Sequence, residues 1–395
     1  MKKRNMIMLA IGTLFVVATL GAWIHMERWY KESEEIYEAI KIDFAQDVRA
    51  AIPKMKEDQK ALQVYAWMHD NPCENDAGLI LNALVEWDNE SAMEWSKNHS
   101  GSIDRPDWSK MGDLSMSLLK KVPDSKHWIT QGANTQIAAL RFPWMKELRS
   151  FDCWDITKNS PIANQDFKDV TDWVDRMTYP SGVGLMSAST LMLMQLHQPL
   201  SDNPEEDSAR VERVLNDVRK LVQLTLKSQH MILMGVGVSI LEREQQATMY
   251  LAEHDRVPSN WKTIPASDIA RLKRLVYASS SLSSLFTPVE FHDVITTDEY
   301  SFARCASMRE GFQQARMFKG VLEKEQFSWL EKVLSQSQKH GCRLDDVVQQ
   351  WNDPDLNLEN QEEYKGIRLL KTLIRGQAMV LATIAVPNWL SRYTQ

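Results

Sequence analysis

The sequence predicts an all-α protein: a single N-terminal transmembrane helix followed by an irregular multi-helix body on the extracytoplasmic side. Three observations carry this. Residues 6–24 hold no charge, and a run of that length, rising about 1.5 Å per residue as a helix, matches a hydrocarbon layer of about 30 Å. Glycine and proline, 15 and 14 of 395 residues, are scarcer than the roughly 12% of an average chain, so few breaks interrupt a helix. Apolar residues recur at three-to-four spacing over long stretches, as on the face traced by Ile36, Ile40, Phe44, Val48, Ile52 and Met55.

Charge orients the first helix. Lys2, Lys3 and Arg4 precede the uncharged run, whereas Glu27 to Arg49 carry seven acids against four bases, and an excess of bases marks the cytoplasmic end. Trp23, Trp29 and Tyr30 fall at the exit, where amphipathic rings prefer the membrane interface. The best cleavage site, Thr19-Leu20-Gly21, is a poor small-x-small match, so the segment reads as a retained signal anchor rather than a removed leader. The expected layout is a cytoplasmic tip and anchor over 1–26, a stalk helix over 27–60, a Trp-rich helical domain over 61–200 and a second helical domain over 201–395. The last boundary rests on the acidic, proline-flanked stretch from Leu200 to Asp207. Pro53 is expected to bend or end the stalk.

The setting that follows is a bacterial inner membrane, crossed once through residues 6–24, with the N-terminus cytoplasmic and the body periplasmic. A eukaryotic type II protein has the same ends, and there Asn89-Glu90-Ser91 and Asn98-His99-Ser100 are glycosylation acceptors. The 46 bases and 53 acids, less the three bases of the tip, leave the exported part at about −10, which argues against nucleic acid as a partner. Four cysteines on the oxidising side allow two disulfides, and pairing within halves predicts Cys73 with Cys153 and Cys305 with Cys342. No CxxC occurs, so redox exchange and zinc ribbons are not expected.

Within the body, helices are expected over 76–87, 108–121, 134–149 with a break at Pro143, 166–177, 184–197, 207–227, 231–254, 267–285, 302–321, 326–339 and 363–386. The only strand signal, 289–295, reads better as a loop. Eight of the 14 tryptophans lie between Trp67 and Trp173. Trp67, Trp87, Trp108 and Trp128 recur at intervals near 20 residues, yet their flanks share no other position, so the array is solenoid-like at most. Trp87, Trp108 and Trp128 are the candidate partner-binding residues, tryptophan being enriched at binding surfaces, against the plainer role of pinning helices together in the core.

Chemistry is sparse. Ser117-Leu118-Leu119-Lys120 with Ser201-Asp202-Asn203 gives two motifs of the penicillin-recognising serine enzymes, but Lys371-Thr372 is followed by Leu373 where glycine is required. GxxxxGK[ST], GxGxxG, GxSxG and HExxH are missing, and neither a cofactor nor a metal is expected. His254, His292, Asp293 and Glu242 form an alternative acid–base group if the fold brings them together. The Met-rich runs around Gly182-Val183-Gly184 and Gly235-Val236-Gly237 read as core, or as an adaptable groove for an apolar ligand. The apolar stretch 378–386 is too short to span and reads as packing on the body. The leading expectation is thus a non-enzymatic, membrane-anchored periplasmic interaction or scaffold protein with a protein partner in the cell envelope; the alternatives are a tethered hydrolase and a lipid-binding protein.

Overall fold

A computed structural model describes residues 53–68, 73–101, 103–120, 128–133, 135–156, 158–162, 178–197, 203–228 and 230–285, all within one unit, Pro53–Asn357. Helices cover 68% of this length and the strands are few, so the described body is all-α. Among the described residues no helix is long and apolar enough to cross a membrane. The proposed span at 6–24 lies outside them, as do most of 27–60, the expected helices beyond 285, and the whole of 166–177.

Residues 53–62 are helical (α1); the expected stalk before Pro53, and with it the expected bend or end there, lies outside the described residues. Then follow α2 (Gly78–Leu84), β1 (Glu86–Trp87), α3 (Glu90–His99) and α4 (Trp108–Leu119). The expected helix 134–149 is split at Pro143 into α5 (Thr135–Ala139) and α6 (Trp144–Leu148). Next come β2 (Pro180–Ser181), α7 (Val183–Met194), α8 (Pro204–Lys227), α9 (Met231–Glu253) and α10 (Ala266–Leu285). The expected 76–87 is shorter than predicted because its last turn becomes β1, which pairs antiparallel with β2 in the register Glu86–Ser181 and Trp87–Pro180. Helix α3 was not anticipated: only Ala92 and Ser96 of it are buried, so it has almost no apolar stripe, and it starts on an Asn89 side chain that accepts from the Ser91 amide.

Capping explains the longest helix. Asn203 accepts from the Glu205 amide, Pro204 opens the first turn, three acids follow it and Lys227 closes the last turn, each matched to the helix dipole or its free N–H groups. Helix α7 has ten buried residues among its twelve and packs against α4, α8, α9 and the 3₁₀ segment Trp128–Ala133, which is the pattern of a helix surrounded on all sides. Helices from both sides of residue 201 therefore share this core. Two glycines permit it: a Cβ on Gly184 would lie 2.7 Å from the Trp108 ring, and one on Gly132 would lie 1.8 Å from the Met194 carbonyl. Met192, Met194 and Met234 fill this core, the plainer of the two readings for the Met-rich runs.

The N-terminal part is held by polar ties to a non-helical segment, residues 151–160. The Cys73–Cys153 disulfide forms as expected, with Cα atoms 5.6 Å apart; Cys305 and Cys342 lie outside the described residues. Beside it the Ala77 amide donates to the Cys153 carbonyl at 2.9 Å. Asp76 accepts from the amides of Gly78 and Asp155 at 2.8 and 2.7 Å, although burial still pushes its carboxyl above the usual range. Asn82, wholly buried, donates to the carbonyls of Asp155, Lys158 and Asn159 at 3.2, 2.7 and 3.3 Å. It accepts the Trp154 indole N–H at 2.8 Å on its side chain and that of Trp87 at 2.9 Å on its carbonyl. A buried polar group left unpaired costs about 1–3 kcal/mol, so this saturation is what makes a buried amide tolerable.

His230 stands just before α9, 2% exposed, with its Nδ1 unpartnered among the described residues. Burial alone depresses its pKa from 6.5 to about 4. The unfolded chain then holds the proton more tightly, so the stabilisation is complete above pH 6.5 and is lost as pH falls towards 4. Between pH 7.5 and 5 the protein is expected to lose roughly 2 kcal/mol of stability from this group. Parallel denaturant titrations of the parent and His230→Gln at both pH values check it: the variant should show a shallower pH dependence by that amount, and equal slopes would contradict it.

Candidate functional site

One face of α8 carries Arg213, the adjacent Asn216 and Asp217, Lys220 and Gln223, in steps of three or four residues that align them along the helix. Segment 149–153 runs beside it and supplies Arg149. Together with Arg219 these residues line a cleft of about 420 Å³. Four cations face a single carboxylate there, on a chain whose formal charge is −7.

The cations are held differently. Arg149 donates Nε and Nη2 to the two oxygens of Asp217, each at 2.8 Å, and this fork raises its already high pKa. Lys220 reaches across to the Phe151 carbonyl at 2.7 Å and to Gln223 Oε1 at 3.3 Å. Burial lowers its pKa, with Asp152 pulling the other way. Gln223 Nε2 donates to the Asp152 carbonyl at 3.1 Å. Two side chains of α8 thus fasten the loop that the disulfide anchors at Cys153.

Arg219 forms the inner wall. Its Nε donates to Glu244 Oε2 at 2.7 Å and its Nη2 to Glu244 Oε1. Its guanidinium lies 4.7 Å from the Trp261 ring centroid and 6.0 Å from that of Trp67, within range of a cation–π attraction. Glu244 is 1% exposed, and burial pushes its carboxyl up despite the guanidinium beside it. Arg213, by contrast, is exposed and makes no bond among the described residues.

The residues singled out from sequence are distributed elsewhere. Trp87, Trp108 and Trp128 are 2, 5 and 4% exposed. Their indoles donate to the Asn82 and Leu84 carbonyls and to Gln246 Oε1, so in this body they pin elements together. Glu242 pairs with Lys273 on α10 at 2.7 Å. His254 closes α9, its Nδ1 2.7 Å from the Tyr250 carbonyl. Twelve residues of helix separate these two, about 18 Å of rise, and no shared site joins them. His292 and Asp293 lie outside the described residues.

Sequence reading missed two constellations. One is the cleft itself, because Arg149 meets Asp217 from 68 residues away; the only local signal was the helical spacing of Arg213, Asp217 and Lys220. The other ties the ends of α7, α8 and α9. Asp207 accepts from Arg210 at 2.9 Å and from Arg256 at 2.8 and 3.1 Å, and Arg256 also donates to the Leu196 and His197 carbonyls. The Tyr250 hydroxyl lies 2.8 Å from His197 Nδ1, and burial with the nearby Arg256 lowers the His197 pKa. The charges of this second cluster are paired with one another, which makes it a fastening.

No protein-family model, no curated protein and no solved structure matches the chain.

The two forks of the cleft should differ in cost. Arg219→Ala strands a buried carboxylate and is expected to destabilise by about 3–5 kcal/mol. Asp217 is 7% exposed, but Arg149 is 47% exposed and water can take its place, so Arg149→Ala should cost less, about 1–2 kcal/mol. Denaturant midpoints of the two variants check this, and equal losses would contradict it.

Proposed function

We propose that this chain is a membrane-tethered, extracytoplasmic helical protein that binds another macromolecule, a protein of the cell envelope, through the basic cleft of its body. The observation that carries the reading is the concentration of Arg149, Arg213, Arg219 and Lys220 in one cleft of an acidic chain, because a local field opposite in sign to the whole attracts a complementary partner. The tether rests on sequence: uncharged residues 6–24, the bases before them and the aromatic residues after them. The Cys73–Cys153 pairing fits a body on the oxidising side. Binding rather than catalysis is favoured because the cleft offers fixed cations and amides, and neither His254 nor Glu242 approaches it.

Two measurements test this reading. Protease added to sealed spheroplasts should digest the body; protection of the bulk of the chain would reverse the topology. Crosslinking in intact membranes followed by capture of the full chain should recover a stoichiometric protein partner, and repeated capture of none would overturn the binding role.

A further inference from the structure

We infer that the cleft seats the side-chain carboxylates of an extended acidic peptide segment, an inference that rests on the reading of the body as a macromolecule binder. The cleft holds a surplus of hydrogen-bond donors. Asp217, the one carboxylate in the lining, already has each oxygen engaged by Arg149. Still unspent among the described residues are Arg149 Nη1, Arg219 Nη1, the whole Arg213 guanidinium, the Asn216 amide and one Lys220 N–H. A site with this balance calls for a ligand rich in acceptors and carrying negative charge.

The spacing of the cations suits an extended ligand. Arg213, Asp217 with its Arg149, and Lys220 follow one another at four and three residues along α8, about 6 and 4.5 Å of rise. The cations are strung in a row rather than gathered on one point. Alternate side chains of an extended segment on one face stand about 6.6 Å apart, so acids at alternate positions meet successive cations. A lone phosphate would engage only one of them.

The cleft wall is also held in place. The wall opposite α8 is bound by Lys220 and Gln223 to the Phe151 and Asp152 carbonyls and covalently through Cys153. Arg149 and Lys220, held in this way, lose less conformational freedom on binding than free surface side chains do.

The test uses the full chain in zwitterionic nanodiscs and a fluorescent peptide, acetyl-Asp-Ala-Asp-Ala-Asp-Ala-amide, followed by anisotropy. Binding in the micromolar range is expected, weakening about tenfold between roughly 50 and 500 mM salt because exposed charges are screened. Arg213→Glu and Asn216→Glu, both at exposed positions, should each weaken it at least tenfold without shifting the melting temperature, and Arg213→Lys should stay close to the parent. Peptide binding indifferent to Arg213→Glu overturns the proposal. So does inorganic pyrophosphate, or vesicles containing phosphatidylglycerol, binding in an Arg213-dependent way while the peptide does not. If the peptide binds but membranes yield no partner, the macromolecular reading fails and the cleft assignment stands. If a partner is captured equally by parent and Arg213→Glu, the cleft assignment fails and the binding role survives.

Discussion

The Asn82 side chain points its amide at three carbonyls of one segment, those of Asp155, Lys158 and Asn159, while its oxygen takes the Trp154 indole. Segment 151–160 has almost no regular structure of its own, so its backbone groups must find partners elsewhere or face the penalty of burial. Asn82 supplies those partners from a helix, and the disulfide at Cys153 closes the other end of the same contact. Everything at the cleft is downstream of this arrangement. Arg149, Phe151 and Asp152 stand next to α8 because the residues that follow them are pinned to α2.

The arginines of the body show how burial decides what a charge does. Arg274 donates to Asp58 at 2.9 and 2.7 Å and joins α10 to α1; Asp58 is 3% exposed. Arg243 donates to the Met186 carbonyl at 3.2 Å and to Thr190 Oγ1, fixing α9 to α7. Arg219 is committed to Glu244 and two indoles. Arg274 and Arg219 balance buried carboxylates, and removing either leaves its partner charged without a counter-ion, whereas Arg243 holds neutral oxygens. Arg213 and the outer edge of Arg149 balance nothing inside, which is why the field they create is directed to solvent.

Much of this fold was legible in the sequence. Helices α4, α7, α8, α9 and α10 lie where apolar spacing puts them, with caps at Asp107 and Asn203 that the structure adds, and Pro143 divides its helix as its missing N–H requires. The Cys73–Cys153 pair followed from keeping bridges within halves. What escaped was set by partners far along the chain. The last turn of the expected 76–87 became β1 because Pro180 and Ser181 lie beside it, and α3 carries too few apolar residues to announce itself. The same limit applies to the site: tryptophan counts drew attention to Trp87, Trp108 and Trp128, whose indoles are turned to buried carbonyls and an amide, whereas the cations that open to solvent lie in amphipathic stretches of ordinary composition. Only Arg213, Asp217 and Lys220 carried a readable spacing, and Arg149 carried none.

If the Asn82 contact organises the body, its two indole partners must open only with the whole structure. Hydrogen exchange of the Trp87 and Trp154 indole N–H groups, followed by NMR of tryptophan-labelled protein, measures this directly. The account predicts that both exchange with the free energy of global unfolding obtained from denaturant titration. Exchange of either through a local opening of far lower free energy would contradict it.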